Sequence, residues 1–185
     1  MNRNINLLYI IVLLLGCQST NHVIKLNNTG LPVIIRYNKK YNFITRVNLP
    51  IAIEIKNNTP KIKSFIKIDY MYSPYSEGIG ENIYNKNLVK IKNNKKKEIN
   101  SFEIKDYIIY SWYRLDTIKS TQQQFKPYIE KMLSQNKDTL HIGTVSEFKK
   151  KHKELFEKLT KNDSISIQFL DGKKLGERIT VPVKW

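Results

Sequence analysis

The sequence of 185 residues is poor in cysteine, in histidine and in long apolar runs. A single cysteine, Cys17, excludes an intramolecular disulfide and a zinc site built from several thiolates. The longest apolar run, residues 7–15, is shorter than the ~20 residues that cross a bilayer as a helix. Acidic residues are also scarce: 16 Asp and Glu face 32 Lys and Arg, which gives a net charge of +16. One β-rich domain that carries a strong positive field is therefore the starting expectation.

The N-terminal residues have the order of an export signal. Arg3 supplies a positive start, residues 7–15 form the apolar core, and polar residues begin at Gln18. The segment Leu14-Leu15-Gly16-Cys17 resembles the lipobox of bacterial lipoproteins. That resemblance implies cleavage before Cys17, a diacylglyceryl group on its thiol, and incorporation of labelled palmitate. The alternatives are an ordinary signal peptide with an incidental cysteine, or an intracellular buried N-terminus.

The resemblance also implies where the mature protein resides. Two or more acyl chains hold a protein stably on a membrane without spanning it. In similar lipoproteins of two-membrane bacteria, an Asp after the cysteine favours inner-membrane retention, and here Gln18 takes its place. We therefore expect a cell-envelope protein, on the periplasmic face of the outer membrane if the organism has two membranes. The expected organisation is a signal peptide at 1–16, a lipidated tether at 17–30 and one domain at 31–185.

Alternation of apolar and polar residues after Gly30 predicts half-buried β-strands. The clearest strand has Ile51, Ile53 and Ile55 on one face. The segment from Tyr107 to Leu115 is rich in aromatic residues that do not share one parity, which predicts a bulge or a strand buried on both faces. At the C-terminus, Asp171-Gly172 between two alternating runs predicts a hairpin.

Two helices are expected between these strands, near residues 123–135 and 145–160. Thr144 and Glu147 have the spacing of a capping box at the start of the second. The predicted fold class is therefore mainly β, an antiparallel sandwich with an inserted helical hairpin. The pattern resembles an immunoglobulin-like fold over about half of the chain, without its Cys-Trp-Cys core. The alternative is an α+β domain with two helices packed on one antiparallel sheet.

The sequence predicts no catalytic residues, no metal site and no cofactor. The three histidines, His22, His141 and His152, are not at metal-ligand spacing with one another or with a carboxylate. Asp106 and Asp116 flank the aromatic strand, but ten residues of extended strand would separate them by about 30 Å. They cannot act together as a catalytic pair in that geometry.

A candidate interaction surface comprises Tyr75, on a predicted loop, and Lys95, Lys96 and Lys97, at a predicted hairpin tip. Specific nucleic-acid binding is not expected, because this basic segment lacks Arg, Tyr and Trp and the signal directs export. Lysines of this kind attract anionic glycans or lipid head groups over long range. An envelope protein is a further possible partner.

We therefore expect a lipid-anchored envelope protein that is a non-enzymatic binding domain. The alternative is an envelope hydrolase whose site follows no recognised motif. A cleft that joins His141 or His152 to a carboxylate would favour the hydrolase.

Overall fold

Two antiparallel sheets pack against each other in the computed structural model, which describes residues 22–72 and 78–185. The fold class is as predicted: a mainly β antiparallel sandwich with helices inserted between strands. No helix in the described ranges is both long enough and apolar enough to cross a bilayer. The strands and helices of these ranges are β1 His22–Asn28, β2 Pro32–Asn38, β3 Phe43–Asn48, β4 Pro50–Asn57, β5 Lys63–Met71, β6 Gly78–Asn85, β7 Lys90–Ile91, β8 Lys97–Ile99, β9 Ile104–Arg114, α1 Lys119–Gln123, α2 Lys126–Ser134, β10 Thr139–Thr144, α3 Val145–Lys151, α4 Lys153–Thr160, β11 Ser164–Asp171 and β12 Lys174–Pro182.

In the larger sheet, β1 pairs antiparallel with β4, starting at the pair His22 and Asn57. β2 pairs antiparallel with β3, ending at the pair Asn38 and Phe43. β9 lies along the other edge of β3 and β4, β6 pairs with β9, and β7 pairs with β6. β10 pairs with β2. The smaller sheet has the order β12, β11, β5 and β8.

Residues 22–28, which were assigned to the predicted tether at 17–30, form β1. This strand pairs with β4 along its whole length, and Ile24 and Leu26 pack against the core. Residues 17–30 have few apolar side chains, and the composition therefore favoured a tether. The cross-strand contacts that stabilise β1 come from β4, and the composition of the segment does not show them.

The core lies between the sheets and continues under the helices. Ile51, Ile53 and Ile55 of β4 are buried, as the alternation predicted. Facing them are side chains of the smaller sheet, and Phe65 makes edge contacts with both Tyr107 and Phe169. The buried apolar residues of the sheets and helices form one continuous cluster.

β9 is covered on both faces, one of the two arrangements expected for its aromatic residues. Tyr107 and Tyr113 point into the core, whereas Tyr110 and Trp112 lie on the outer face of the larger sheet. The ring of Tyr110 is nevertheless buried, because it packs against Tyr84 of β6 at 5.8 Å. The register shift is in β6, between Gly78 and Gly80, rather than in β9.

In β5, the predicted alternation of buried and exposed residues is wrong at Ile66. Phe65 and Ile68 are both buried, while Ile66 is 41% exposed. The register against β11 shifts between these residues, so that β5 carries one extra residue there. Such a bulge reverses the face of the residues that follow it.

Four short helices stand where two longer ones were expected. α1 and α2 are separated by Gln124 and Phe125, and α3 and α4 are separated at His152. The predicted capping box is present: the Thr144 hydroxyl accepts from the backbone N–H of Glu147, and the Glu147 carboxylate accepts from that of Thr144. The helices and the residues between them add side chains to the core, notably Phe125, Met132, Phe148, Leu155, Phe156 and Leu159.

Candidate functional site

The predicted lysines line a cleft at the edge of the sandwich, where the chain crosses from β7 in one sheet to β8 in the other. The cleft has a volume of about 650 Å³. Lys95 and Lys96 are exposed there, and Lys96 forms an ion pair with Glu98 at 2.6 Å. Ile104 and Tyr107 contribute apolar surface to the cleft.

Lys97 has a different environment from its two neighbours. Its Nζ donates to the carbonyl oxygens of Ile66, Asn93 and Lys95 at 2.6, 2.8 and 2.9 Å. Burial lowers the pKa of Lys97 to about 8. The ammonium group therefore holds the bulge of β5 and the loop after β7 together, and it is a structural residue more than part of an exposed patch.

The other predicted site residues, Tyr75 and Cys17, lie outside the described residues. The lipobox residues Leu14, Leu15 and Gly16 do so as well.

A row of arginines crosses the outer face of the larger sheet. Arg36 of β2 pairs directly with Arg46 of β3, and Arg46 pairs directly with Arg114 of β9. Adjacent strands are about 4.8 Å apart, so the row spans about 10 Å between its outer members. These are three of the four arginines in the described part of the chain, and none of the three is in an ion pair with a carboxylate described there. We call Arg36, Arg46 and Arg114 the arginine row.

This arrangement is electrostatically unfavourable by itself, because like charges directly opposite one another destabilise a sheet. Burial first, and then the charges of Arg36 and Arg114, lower the pKa of Arg46. Guanidinium groups bind carboxylates and phosphates through two parallel N–H bonds. A bound oxyanion would therefore relieve the repulsion within the row.

The central arginine is held in place by an aromatic side chain. The guanidinium carbon of Arg46 lies 4.3 Å from the centre of the Trp112 ring. On β6, a Cβ at Gly80 would lie only 3.3 Å from the same ring, and the φ of Gly80 is +146°. The Trp112 ring thus packs against Gly80, a position that only glycine occupies without strain, and it also contacts the Arg46 guanidinium.

Two buried polar atoms next to the arginine row have no partner within the described residues. Asn48 and Trp112 lie two residues from Arg46 and Arg114 on the same strands, and therefore on the same face. The Oδ1 atom of Asn48 and the Nε1 atom of Trp112 are both buried and without a hydrogen bond. Asn48 is only 4% exposed. Unpaired groups of this kind are costly. The Nε1–H of Trp112 is a donor that an oxyanion would satisfy, whereas Oδ1 of Asn48 is an acceptor and needs a donor.

A basic groove extends from one end of the arginine row. It is an open depression of about 840 Å³ at the tip of the β2–β3 hairpin, and it includes Arg36, Lys39, Lys40 and Lys137. Of the described residues, Asp138 is the only acidic one that lines it. The positive field of the row therefore continues over the hairpin tip.

Neither His141 nor His152 forms a catalytic arrangement with a carboxylate in the part of the chain that the structure describes. His141 is exposed on β10, and the side chain of His22 is not described. His152 is buried between α3 and α4, where its Nδ1 bonds to Oε1 of Gln124 at 2.7 Å. Its ring stacks on Phe125 at 5.1 Å. Among the described residues, neither His141 nor His152 is hydrogen-bonded to a carboxylate or to a hydroxyl group.

The acidic residues have structural contacts. Asp106 and Asp116 lie at opposite ends of β9, as expected, and Asp116 accepts from Lys158 at 2.9 Å. Asp163 is buried between the sheets, where it accepts from the hydroxyl groups of Tyr70 and Tyr113. No group of His, Cys, Asp and Glu with the geometry of a metal site is present in the residues that the structure describes.

The sequence patterns did not predict the arginine row. The scarcity of arginine was visible, since 27 of the 32 basic residues are lysine and only five are arginine. Each of the three arginines also falls on a polar position of a strand. Their alignment depends on the irregular register of the β2–β3 hairpin and on the pairing of β3 with β9, which is distant in sequence. Neither register is readable from local patterns.

The chain was compared with protein-family models, with curated proteins and with solved structures, and no match was found in any of the three comparisons.

Proposed function

We propose that the protein is a lipid-anchored binding domain of the cell envelope, without enzymatic activity, that engages an anionic envelope ligand through the arginine row. Cys17 would carry the lipid, and the immunoglobulin-like sandwich would serve as the scaffold. The observation that carries the proposal is the direct pairing of Arg36, Arg46 and Arg114, three like charges without a described acidic partner. The ligand chemistry is that of an oxyanion, either a phosphate or a carboxylate, on an envelope polymer or protein.

The details of the row support a ligand role over a merely solvated face. A solvated arginine has no need of a fixed position, but Arg46 rests on Trp112, and Trp112 rests on Gly80. Preorganisation of this kind lowers the entropy lost on binding.

No observation favours the hydrolase alternative in the same way. The cleft beside His152 has a volume of about 460 Å³ and includes Glu154. The imidazole is nevertheless hydrogen-bonded to the side-chain amide of Gln124 and not to that carboxylate. Burial and the charge of Lys151 lower the pKa of His152 to about 4, which makes it a weak general base at neutral pH.

Binding of oxyanions to the purified mature protein tests the role of the row. Inorganic phosphate and a carboxylated oligosaccharide are titrated separately, because they represent the two candidate chemistries. The substitution Arg46→Lys retains the charge but removes the guanidinium fork. Loss of one charge-assisted bond, worth about 1.5–3 kcal/mol, should weaken binding by about 10-fold or more.

Arg178→Lys is the matched control, since Arg178 lies on β12 in the other sheet and pairs with Asp69. It should leave the affinity unchanged. Equal affinities for Arg46→Lys and Arg178→Lys, or no saturable binding of either probe, would contradict the proposal. Incorporation of labelled palmitate, abolished in Cys17→Ala, tests the anchor independently.

A further inference from the structure

The described chain begins at one end of the sandwich. His22 pairs with Asn57 and Val23 pairs with Lys56, while Lys56 also pairs with Ile104 at the start of β9. Four residues lie between Cys17 and His22, so the five steps from one to the other span no more than about 18 Å. We call the end of the sandwich where β1 starts the anchor end.

Two of the loops that connect the sheets, β4–β5 and β8–β9, meet at the anchor end. The Asn57 side chain donates to the carbonyl oxygens of Lys61 and Asn100, both at 2.8 Å, and so joins the β4–β5 loop to the β8–β9 loop. In addition, the backbone N–H of Phe102 donates to Thr59. The β6–β7 and β11–β12 turns lie at the same end, since Asn85 pairs with Tyr107 and Leu170 pairs with Ser64.

Large apolar side chains are exposed mainly at this end. Eleven are exposed in the described part of the chain, and six of them lie on these loops or directly beside them. Single exposed apolar residues are common, but a concentration of them marks an interaction surface. The six are Ile62 at 62%, Leu88 at 50%, Val89 at 58%, Phe102 at 65%, Ile104 at 48% and Leu175 at 73%.

The same loops carry exposed lysines. None of these lysines is in an ion pair with a described carboxylate, whereas the nearby Glu103 is already paired with Lys105 at 3.3 Å. The exposed acidic residues described at this end are Asp106, Asp171 and Glu98, and Glu98 is already paired with Lys96, so the net charge of this end is positive. The exposed lysines are Lys56, Lys61, Lys86, Lys90, Lys173 and Lys174.

We propose that the anchor end docks on the anionic bilayer surface that receives the Cys17 lipid, with Phe102 and its apolar neighbours entering the head-group region. This inference rests on the proposed lipid anchor and adds a second, protein-borne contact to it. Three features converge on a bilayer as the occupant: the short chain to Cys17, the exposed apolar loop tips and the lysines around them. Apolar side chains surrounded by cations are the pattern of interfacial membrane contacts.

Probes at the two ends of the sandwich test this orientation. The mature lipidated protein is prepared as Phe102→Cys and, separately, as Tyr41→Cys, and each introduced thiol is labelled with a polarity-sensitive fluorophore. Tyr41 is the matched control because it is 59% exposed in the β2–β3 turn, away from the anchor end. The acylated Cys17 does not react with the label. Both proteins are reconstituted in vesicles of phosphatidylcholine with phosphatidylglycerol, with or without brominated lipid.

The label at position 102 should shift to shorter wavelength and be quenched several-fold more by brominated lipid than the label at position 41. The pair Lys61→Gln and Lys86→Gln should reduce that quenching, whereas Lys39→Gln with Lys40→Gln at the other end should not. Protein that does not float with the vesicles would overturn the lipid anchor, and the docking with it. Floating protein whose label at position 102 stays as hydrated as the label at position 41 would overturn the docking alone.

Discussion

Acid should destabilise the fold through His152. The imidazole is 5% exposed, stacks on Phe125 and bonds to Gln124 through Nδ1. Because Oε1 of Gln124 accepts that bond, Nδ1 carries the proton, and Nε2 is buried with no partner within the described residues. Protonation would add a positive charge and an N–H donor at Nε2, where no acceptor is described. Burial first, and then the charge of Lys151, therefore lower the pKa of His152 to about 4.

The size of the effect follows from the two pKa values. The ordinary value of 6.5 applies to the unfolded chain. Between pH 6.5 and about pH 4 the unfolded state binds more protons than the folded state, so stability is complete above this window and falls as the pH is lowered through it. At about 1.4 kcal/mol per pKa unit, the full loss is about 3 kcal/mol, of which about 2 kcal/mol should be reached at pH 5. That is a substantial part of the ~5–15 kcal/mol typical of a domain.

Urea unfolding at pH 7 and pH 5, followed by the fluorescence of Trp112 and Trp185, measures the effect. The substitution His152→Gln keeps a polar group but removes the titration. It will alter stability at both pH values, so the relevant quantity is the change between them. The wild type should lose about 2 kcal/mol more than the variant between pH 7 and pH 5. Equal losses would show that this histidine does not titrate with the lowered pKa.

Three further substitutions test other contacts by the free energy of unfolding. Tyr113→Phe should lower the free energy of unfolding by about 1–3 kcal/mol, because it leaves the buried carboxylate of Asp163 with one donor fewer. Tyr110→Phe is its control: it removes a hydroxyl without a described partner and should lower that free energy by less than about 0.5 kcal/mol. Gly80→Ala should cost about 1 kcal/mol or more through its positive φ, and it should also weaken oxyanion binding by displacing the ring under Arg46. Lys97→Met leaves three carbonyl groups without their donor and should cost about 1–3 kcal/mol, while Lys95→Met on the exposed side of the same loop should be nearly neutral.

Local patterns were sufficient for the parts of the fold that depend on local rules. The isoleucines of β4 alternate because one face of a strand is buried, and the Thr144 capping box forms within four residues. Asp171 and Gly172 turn the last hairpin, where Gly172 has a φ of +62°. Pro182 ends an edge strand, as expected for a residue that cannot donate to a ladder.

Long-range pairing determined the features that were not predicted. β1 is a strand because β4 offers it an unpaired edge, and its own composition gives little sign of this. Ile66 is exposed because β5 bulges against β11, whereas the alternation of the sequence continues unchanged through that point. The break at His152 likewise depends on its packing between aromatic rings of α3 and the preceding helices. In each case the decisive contact comes from a segment outside the window of the local pattern.

The arginine row and the anchor end lie at opposite ends of the same strand. β9 runs from Ile104, beside the start of β1, to Arg114 in the row, and ten residues of strand span about 33 Å. In the proposed orientation the anchor end faces the bilayer, so the row is held several Debye lengths from the lipid head groups of that membrane. In that orientation the head groups would not compete for the guanidinium forks. The proposed ligand of the row would approach from the solvent side, as a polymer or protein of the envelope would, and the lysines at the anchor end would contact the membrane.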